Sequence, residues 1–245
     1  MFKLNSISKS AKGGEMMKTL GLVLALVFVV GGACFAATAS YDVYRGWNMI
    51  STPLVPFNSD PADVFKAAPQ GIDGLLSRWD PTYGGIYYDS SDPGTFGGTL
   101  LGDGYWLYCY SGPKTITITG VPDGVPDGSG AMTDMWISLP GNSVANTGAW
   151  HLIGQPFAHD TPVDDGTGTG ANIMFTDGTT LKTWAQAAAA RWVDDNFTGW
   201  DAATGGKAIQ FDGNGDDDHL RAGHGYWVHT YVPNLAMIIP AGAHD

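Results

Sequence analysis

One paired signature occurs twice, in the same order, in this chain of 245 residues. Gly46-Trp47-Asn48-Met49-Ile50-Ser51-Thr52-Pro53 is followed by Gly102-Asp103-Gly104-Tyr105-Trp106-Leu107-Tyr108. Later, Ala149-Trp150-His151-Leu152-Ile153-Gly154-Gln155-Pro156 is followed by Gly223-His224-Gly225-Tyr226-Trp227-Val228-His229. An opening and a closing segment that recur roughly a hundred residues apart mark a duplicated structural unit. The repeated positions are aromatic, aliphatic, Gly and Pro. Those types build a fold and perform no chemistry by themselves, so the repeat speaks to architecture before function.

The intervening pattern reads as β. Trp47 to Leu54 is a strand ending at Pro53, and Gly104 to Tyr110 is an aromatic strand with large residues on both faces. Thr115-Ile116-Thr117-Ile118-Thr119 alternates, which turns Ile116 and Ile118 to a core and the threonines outward. Ser77 to Asp80 and Gly85 to Tyr88 flank Pro81-Thr82-Tyr83-Gly84 as a hairpin, and Asp60 to Phe65 is a short capped helical turn. In the second unit Met135 to Leu139 is the counterpart of Tyr41 to Tyr44, with core strands at Trp150–Gln155, Gly225–Tyr231 and Leu235–Ile239. Leu181, Trp184, Ala185, Ala188 and Trp192 recur at helical spacing, which predicts a helix within 179–193. The doubled Val-Pro-Asp-Gly of Val121 to Gly128 is turn chemistry and reads as a linker. The expected fold class is mainly β: two homologous antiparallel β-sandwich or barrel-like units in tandem, at 40–121 and 133–245, joined by 122–132, the second carrying a short helical insert.

Residues 1–39 read as a signal peptide. Lys18 precedes an apolar run from Leu20 to Val30, and Ala37-Thr38-Ala39 gives an A-x-A cleavage pattern, with Ala36 a second candidate. Met16 or Met17 is a candidate true start. Cys34 invites a lipoprotein reading that Gly31-Gly32-Ala33 does not support. The apolar run is short for a membrane span, which needs roughly 20 residues, so no span is expected in the mature chain, which should be secreted. Removing four lysines and one glutamate from 12 basic and 24 acidic residues leaves 8 and 23, a formal charge of −15. That argues against nucleic acid, whose recognition needs a basic footprint. All mature acids are Asp, a turn and cap residue. With Cys109 alone surviving, no intramolecular disulfide forms, and a buried thiol in a strand is the expected role.

Both units resemble a repeat seen in secreted and cell-surface proteins of bacteria and archaea. Its pattern is G-W-N-x-I-S-x-P near the start, a mid-unit Trp, and G-x-G-Y-W-V near the end. Residues 46–53, Trp79 and 102–108 carry the likeness in the first unit; 149–156 and 223–229 carry it in the second, with Ala149 and His151 in place of Gly and Asn. The resemblance implies β-rich, non-catalytic modules serving adhesion, anchoring or surface layers.

Candidate sites lie where the copies differ. Asp212, Asn214, Asp216 and Asp218 sit at alternate positions, a spacing that lets a tight loop turn oxygens toward one calcium ion. Position six is Asp217 rather than Gly and position twelve is Gly223 rather than Glu, so a further carboxylate such as Asp164 or Asp165 would have to complete the shell; a solvated acidic turn is the competing reading. Trp47, Trp150, Trp106 and Trp227 recur at matching positions and are expected in the core. Trp184, Trp192 and Trp200 belong to the unmatched insert and are the candidates for a carbohydrate-binding surface. His224 and His229, five apart along a strand, face opposite sides and make a poor shared metal site.

For catalysis the motifs fail. Without Glu, H-E-x-x-H chemistry and a Glu acid–base pair are absent; Gly141-Asn142-Ser143-Val144-Ala145 misses the G-x-S-x-G elbow; Gly166-x-Gly168-x-Gly170 opens no clear phosphate-cradling helix. The expected function is a secreted, non-enzymatic, structural or adhesive cell-surface protein with calcium as a stabiliser. Thr115–Thr119 and Leu235–Ile239 would support self-association if they are free edges, and could equally be internal strands. A carbohydrate-binding module is the alternative.

Overall fold

The two halves of the signature are hydrogen-bonded neighbours. β2 (Gly46–Ser51) pairs antiparallel with β6 (Gly104–Cys109), from Gly46 opposite Cys109 to Ser51 opposite Gly104. β6 then pairs with β4 (Leu76–Asp80), and β4 with β5 (Gly84–Tyr87), giving a four-stranded sheet in the order β2-β6-β4-β5. The computed structural model describes residues 36–68, 70–123 and 133–242. Most of the predicted signal peptide (1–35) and of the predicted linker (124–132) lies outside the described residues.

The second copy repeats this order. β9 (Trp150–Gly154) pairs with β16 (Gly225–His229), β16 with β13 (Asn196–Asp201), and β13 with β14 (Gly205–Gln210). Against the first sheet lies a three-stranded one, β1 (Ala37–Val43), β7 (Lys114–Val121) and β3 (Val55–Pro56), in the order β1-β7-β3. Against the second lies β12-β11-β17-β8, built from β8 (Met135–Leu139), β11 (Met174–Thr176), β12 (Leu181–Thr183) and β17 (Leu235–Ile239). A two-stranded ribbon of β10 (Thr161–Pro162) and β15 (His219–Leu220) completes the second half. Each half is a mainly antiparallel sandwich with open sheets rather than a closed barrel.

Period-2 alternation decides what each sandwich buries. In β7, Ile116 and Ile118 join one core with Leu54, Phe65, Tyr105 and Leu107, while the threonines face out. The other core holds Phe175, Trp184, Phe197, Val228, Leu235 and Met237. Cys109 is buried in the first core, and burial pushes its thiol up to about 11, so it is a neutral packing residue at ordinary pH. The capped turn forms as α1 (Pro61–Val64): the Asp60 carboxylate accepts from Ala62 N, and Pro61 opens the helix, where its missing N–H costs nothing. A second short helix is α2 (Pro93–Phe96). The hairpin at 81–84 turns as expected, Asp80 accepting from Thr82 N and Tyr83 N, with Gly84 at φ +90°.

One expectation is corrected. The helix is only α3 (Trp184–Ala189), because the Asp177 carboxylate accepts from Thr179 N and Thr180 N and turns the chain into a β11–β12 hairpin first. Thr183 then caps α3 in a capping box with Gln186. Of the two placements open to Thr115–Thr119 and Leu235–Ile239, edge or interior, the interior one is found: β7 lies between β1 and β3, and β17 between β11 and β8. Ala37-Thr38-Ala39, the A-x-A pattern, forms the start of β1, paired opposite Gly120, Thr119 and Ile118.

Candidate functional site

From Ala36 onward the chain forms one compact unit, and the contact between the two sandwiches is reciprocal. Ser51 N donates to Gly223 O at 2.9 Å, and Gly154 N, at the equivalent position of the second copy, donates to Gly102 O at 2.8 Å. Single bridges join Ile50 to His224 and Asp103 to Ile153. The G-x-G element of the signature follows from this contact. Gly102 and Gly223 hold φ of +84° and +80°, where a side chain is strained. Gly104 sits under the backbone of the other half, so that a Cβ there would lie 2.4 Å from Ile153 O.

A third shared motif emerges in the same way. Trp79-Asp80 with Gly84-Gly85 and Trp200-Asp201 with Gly205-Gly206 occupy equivalent hairpins, Trp79 opposite Gly85 and Trp200 opposite Gly206. Each Trp reaches across to the other half. Trp79 Nε1 donates to Trp150 O at 2.9 Å and Trp200 Nε1 donates to Trp47 O at 3.0 Å. Trp200 is therefore the counterpart of Trp79 and not part of an unmatched insert.

These contacts leave an aromatic ladder on the outward face of each four-stranded sheet. Tyr105, Leu107 and Cys109 take the core face of β6, so Trp106 and Tyr108 must face away from it. Trp47 stands edge-on to both, with ring centroids 6.1 Å from Trp106 and 5.1 Å from Tyr108. Trp47 is 39% exposed and Trp150 48%, while Trp106 and Trp227 are half-buried, so the core role expected for these four does not hold. The core takes the other face of the strands.

Between the ladder and Trp200 lies an open groove of about 340 Å³ lined by Trp47, Ser77, Tyr87, Trp106 and Trp200. Its lining is mostly aromatic ring, and an exposed apolar surface of this kind marks an interaction site more often than a free surface does. Trp200, 41% exposed, is the one of the three candidate saccharide residues that lines this groove. The other two depart from it. Trp184 is fully buried, stacked 3.9 Å from Phe197 with its indole N–H donating to Asp194 O. Trp192 packs half-buried against the same core with the Lys182 ammonium over its ring. A second hollow of about 260 Å³ is lined by Trp79 with Arg78, Asp80, Asp103 and Ser138 among others.

The acidic loop does not gather its four predicted ligands. It folds back on β14: Asp216 N donates to Ala208 O, the Asp216 carboxylate accepts from Ala208 N, and Asp212 accepts from Asn214 N. Among the described residues, the carboxylate and imidazole atoms that come within mutual reach of one ion belong to Asp217, Asp218 and His219, and of the predicted set only Asp218 is there. Arg221 already occupies that group, bonding Asp217 through Nε and Nη2 and Asp160 through Nη1. Asp164 is spent on the turn, accepting from the backbone of Gly166, Gly168, Thr169 and Gly170, and Asp165 accepts from Thr167.

Burial alone would raise the carboxyls of Asp217 and Asp160, but hydrogen bonds and charge from Arg221 prevail and hold both below the usual range. A carboxyl with a depressed folded pKa stabilises above its unfolded value, about 3.9, and that stability is lost as pH falls through the folded value. Arg221→Gln should therefore lower the melting temperature by about 2–4 °C at pH 7, a loss near 1 kcal/mol for a half-exposed network. The gap between variant and wild type should close as pH approaches 2. Melting curves that stay parallel across that range would show that the ion pairs carry no acid-sensitive stability.

Comparison with known protein families, with curated proteins and with solved structures finds no match.

Proposed function

We propose that this chain is an exported, non-catalytic module with an adhesive or structural role at the cell surface, which binds saccharide chains in the groove between Trp47, Trp106 and Trp200. One observation carries the reading: indole rings from both halves are held half-exposed around a single open groove, one of them anchored by its N–H across the contact. Aromatic rings combine large apolar faces with a polar edge, and the C–H face of a pyranose matches such a face. The excess of Asp over basic residues favours a neutral glycan over an anionic one. Among the described residues no helix is long and apolar enough to cross a membrane.

Retention of the purified chain on cellulose, chitin and mannan tests the reading. Trp47→Ala and Trp106→Ala should each weaken binding to the retaining polysaccharide about tenfold, the order expected for losing one ring contact. Trp47→Ala should leave the fold intact, since its ring is half in solvent. A wild-type chain that none of the three polysaccharides retains would remove the proposal.

A further inference from the structure

Resting on the saccharide reading above, we propose that the chain is bivalent: a second, weaker platform for a neutral β-linked glycan lies at Trp150, Trp227 and Trp79. The two ladders have the same geometry. Trp150 and Trp227 stand 6.1 Å apart at 84°, as do Trp47 and Trp106. His229 takes the place of Tyr108, 4.8 Å from Trp150. Trp79 is anchored on Trp150 O as Trp200 is on Trp47 O. Trp150 and Trp79 are both exposed, at 48% and 36%.

The copies differ in their walls, and the difference sets the order of affinities. In the first half Ser77 pairs with Tyr87 across β4 and β5, and Tyr87 walls the groove. The equivalent pair in the second half is Thr198 with Ala208, so the aromatic wall is missing there. Trp79 stands edge-on to Trp227, with ring centroids 5.0 Å apart. A platform with one ring fewer offers the glycan one aromatic contact fewer. Loss of one ring contact, about 0.5–1.5 kcal/mol, corresponds to binding about 2- to 10-fold weaker than at the groove.

The test uses the full chain labelled with 5-fluorotryptophan and titrated in turn with cellohexaose, chitohexaose and mannohexaose, the indole signals being assigned by single Trp→Phe variants. Signals of Trp47 and Trp106 should move first and those of Trp150 and Trp227 at a midpoint about 2- to 10-fold higher. Soluble hydroxyethyl cellulose should be cross-linked by the wild type, as read by light scattering. Trp150→Ala should abolish cross-linking while leaving the Trp47 titration unchanged. If Trp150 and Trp227 stay silent while Trp47 responds, bivalency is wrong and the single groove stands. If no indole responds, both the groove and the platform fail.

Discussion

Gly104→Ala should destabilise the protein by about 3 kcal/mol, the upper end of what overpacking costs. The added methyl would lie 2.4 Å from Ile153 O and 2.9 Å from Leu152 Cγ, and the first of these is backbone that cannot rotate away. The Asp103–Ile153 bridge and the Gly154 N to Gly102 O bond lie within the same contact, so relief by separating the chains sacrifices both. A loss of that size lowers the melting temperature of a chain this long by about 6–12 °C. Because a separate core lies on each side of the contact, weakening it should also split one unfolding transition into two. Gly85→Ala is the control, since a Cβ there meets nothing closer than 3.9 Å at ordinary φ. Equal melting temperatures for the two variants would show that the halves are not held as described.

Trp184→Ala should cost about 3–5 kcal/mol, the usual range for deleting a fully buried aromatic side chain. Its ring stacks on Phe197 and approaches Phe211, and its N–H closes on the Asp194 carbonyl, which the truncation leaves unpartnered. Trp200→Ala should behave in the opposite sense, with a small stability change and saccharide binding at the groove about tenfold weaker. Denaturation and polysaccharide retention measured on both variants separate the two roles. Loss of binding by a folded Trp184→Ala chain would contradict the placement of that ring.

Local alternation made much of the fold legible before any coordinates. Thr115 to Thr119 declares its core face because each alternate residue is polar, and the Asp60-Pro61 cap and the 81–84 turn announce themselves by residue type. The aromatic ladder was hidden by the same logic. In Gly104 to Cys109 both faces are bulky, and nothing local says that Tyr105, Leu107 and Cys109 outcompete Trp106 and Tyr108 for the interior. Recurrence of a Trp in both copies then favoured a core reading, whereas the recurrence reflects the contact between copies. The Trp-Asp-x-x-x-Gly-Gly hairpin was also present in the sequence, but its second copy lies beyond an insertion that displaced it from the expected spacing. The acidic loop supports two readings in sequence, calcium ligand or solvated turn, because alternate carboxylates look the same in both; only the fold shows Asp216 bonded to Ala208 N and Asp217 to Arg221.

The reciprocal contact has a consequence for how such a surface can diverge. In a symmetric dimer of two identical chains every substitution appears on both sides of the axis. Here the paired positions are encoded separately. Ser51 stands where the other copy has Gly154, Asp103 where it has His224, and Tyr87 where it has Ala208. One groove can therefore widen while its twin flattens, each tuned without harm to the other. The covalent tether also fixes the local concentration of one half around the other, so the contact does not weaken on dilution. The two aromatic faces stay together at any concentration because they belong to one molecule.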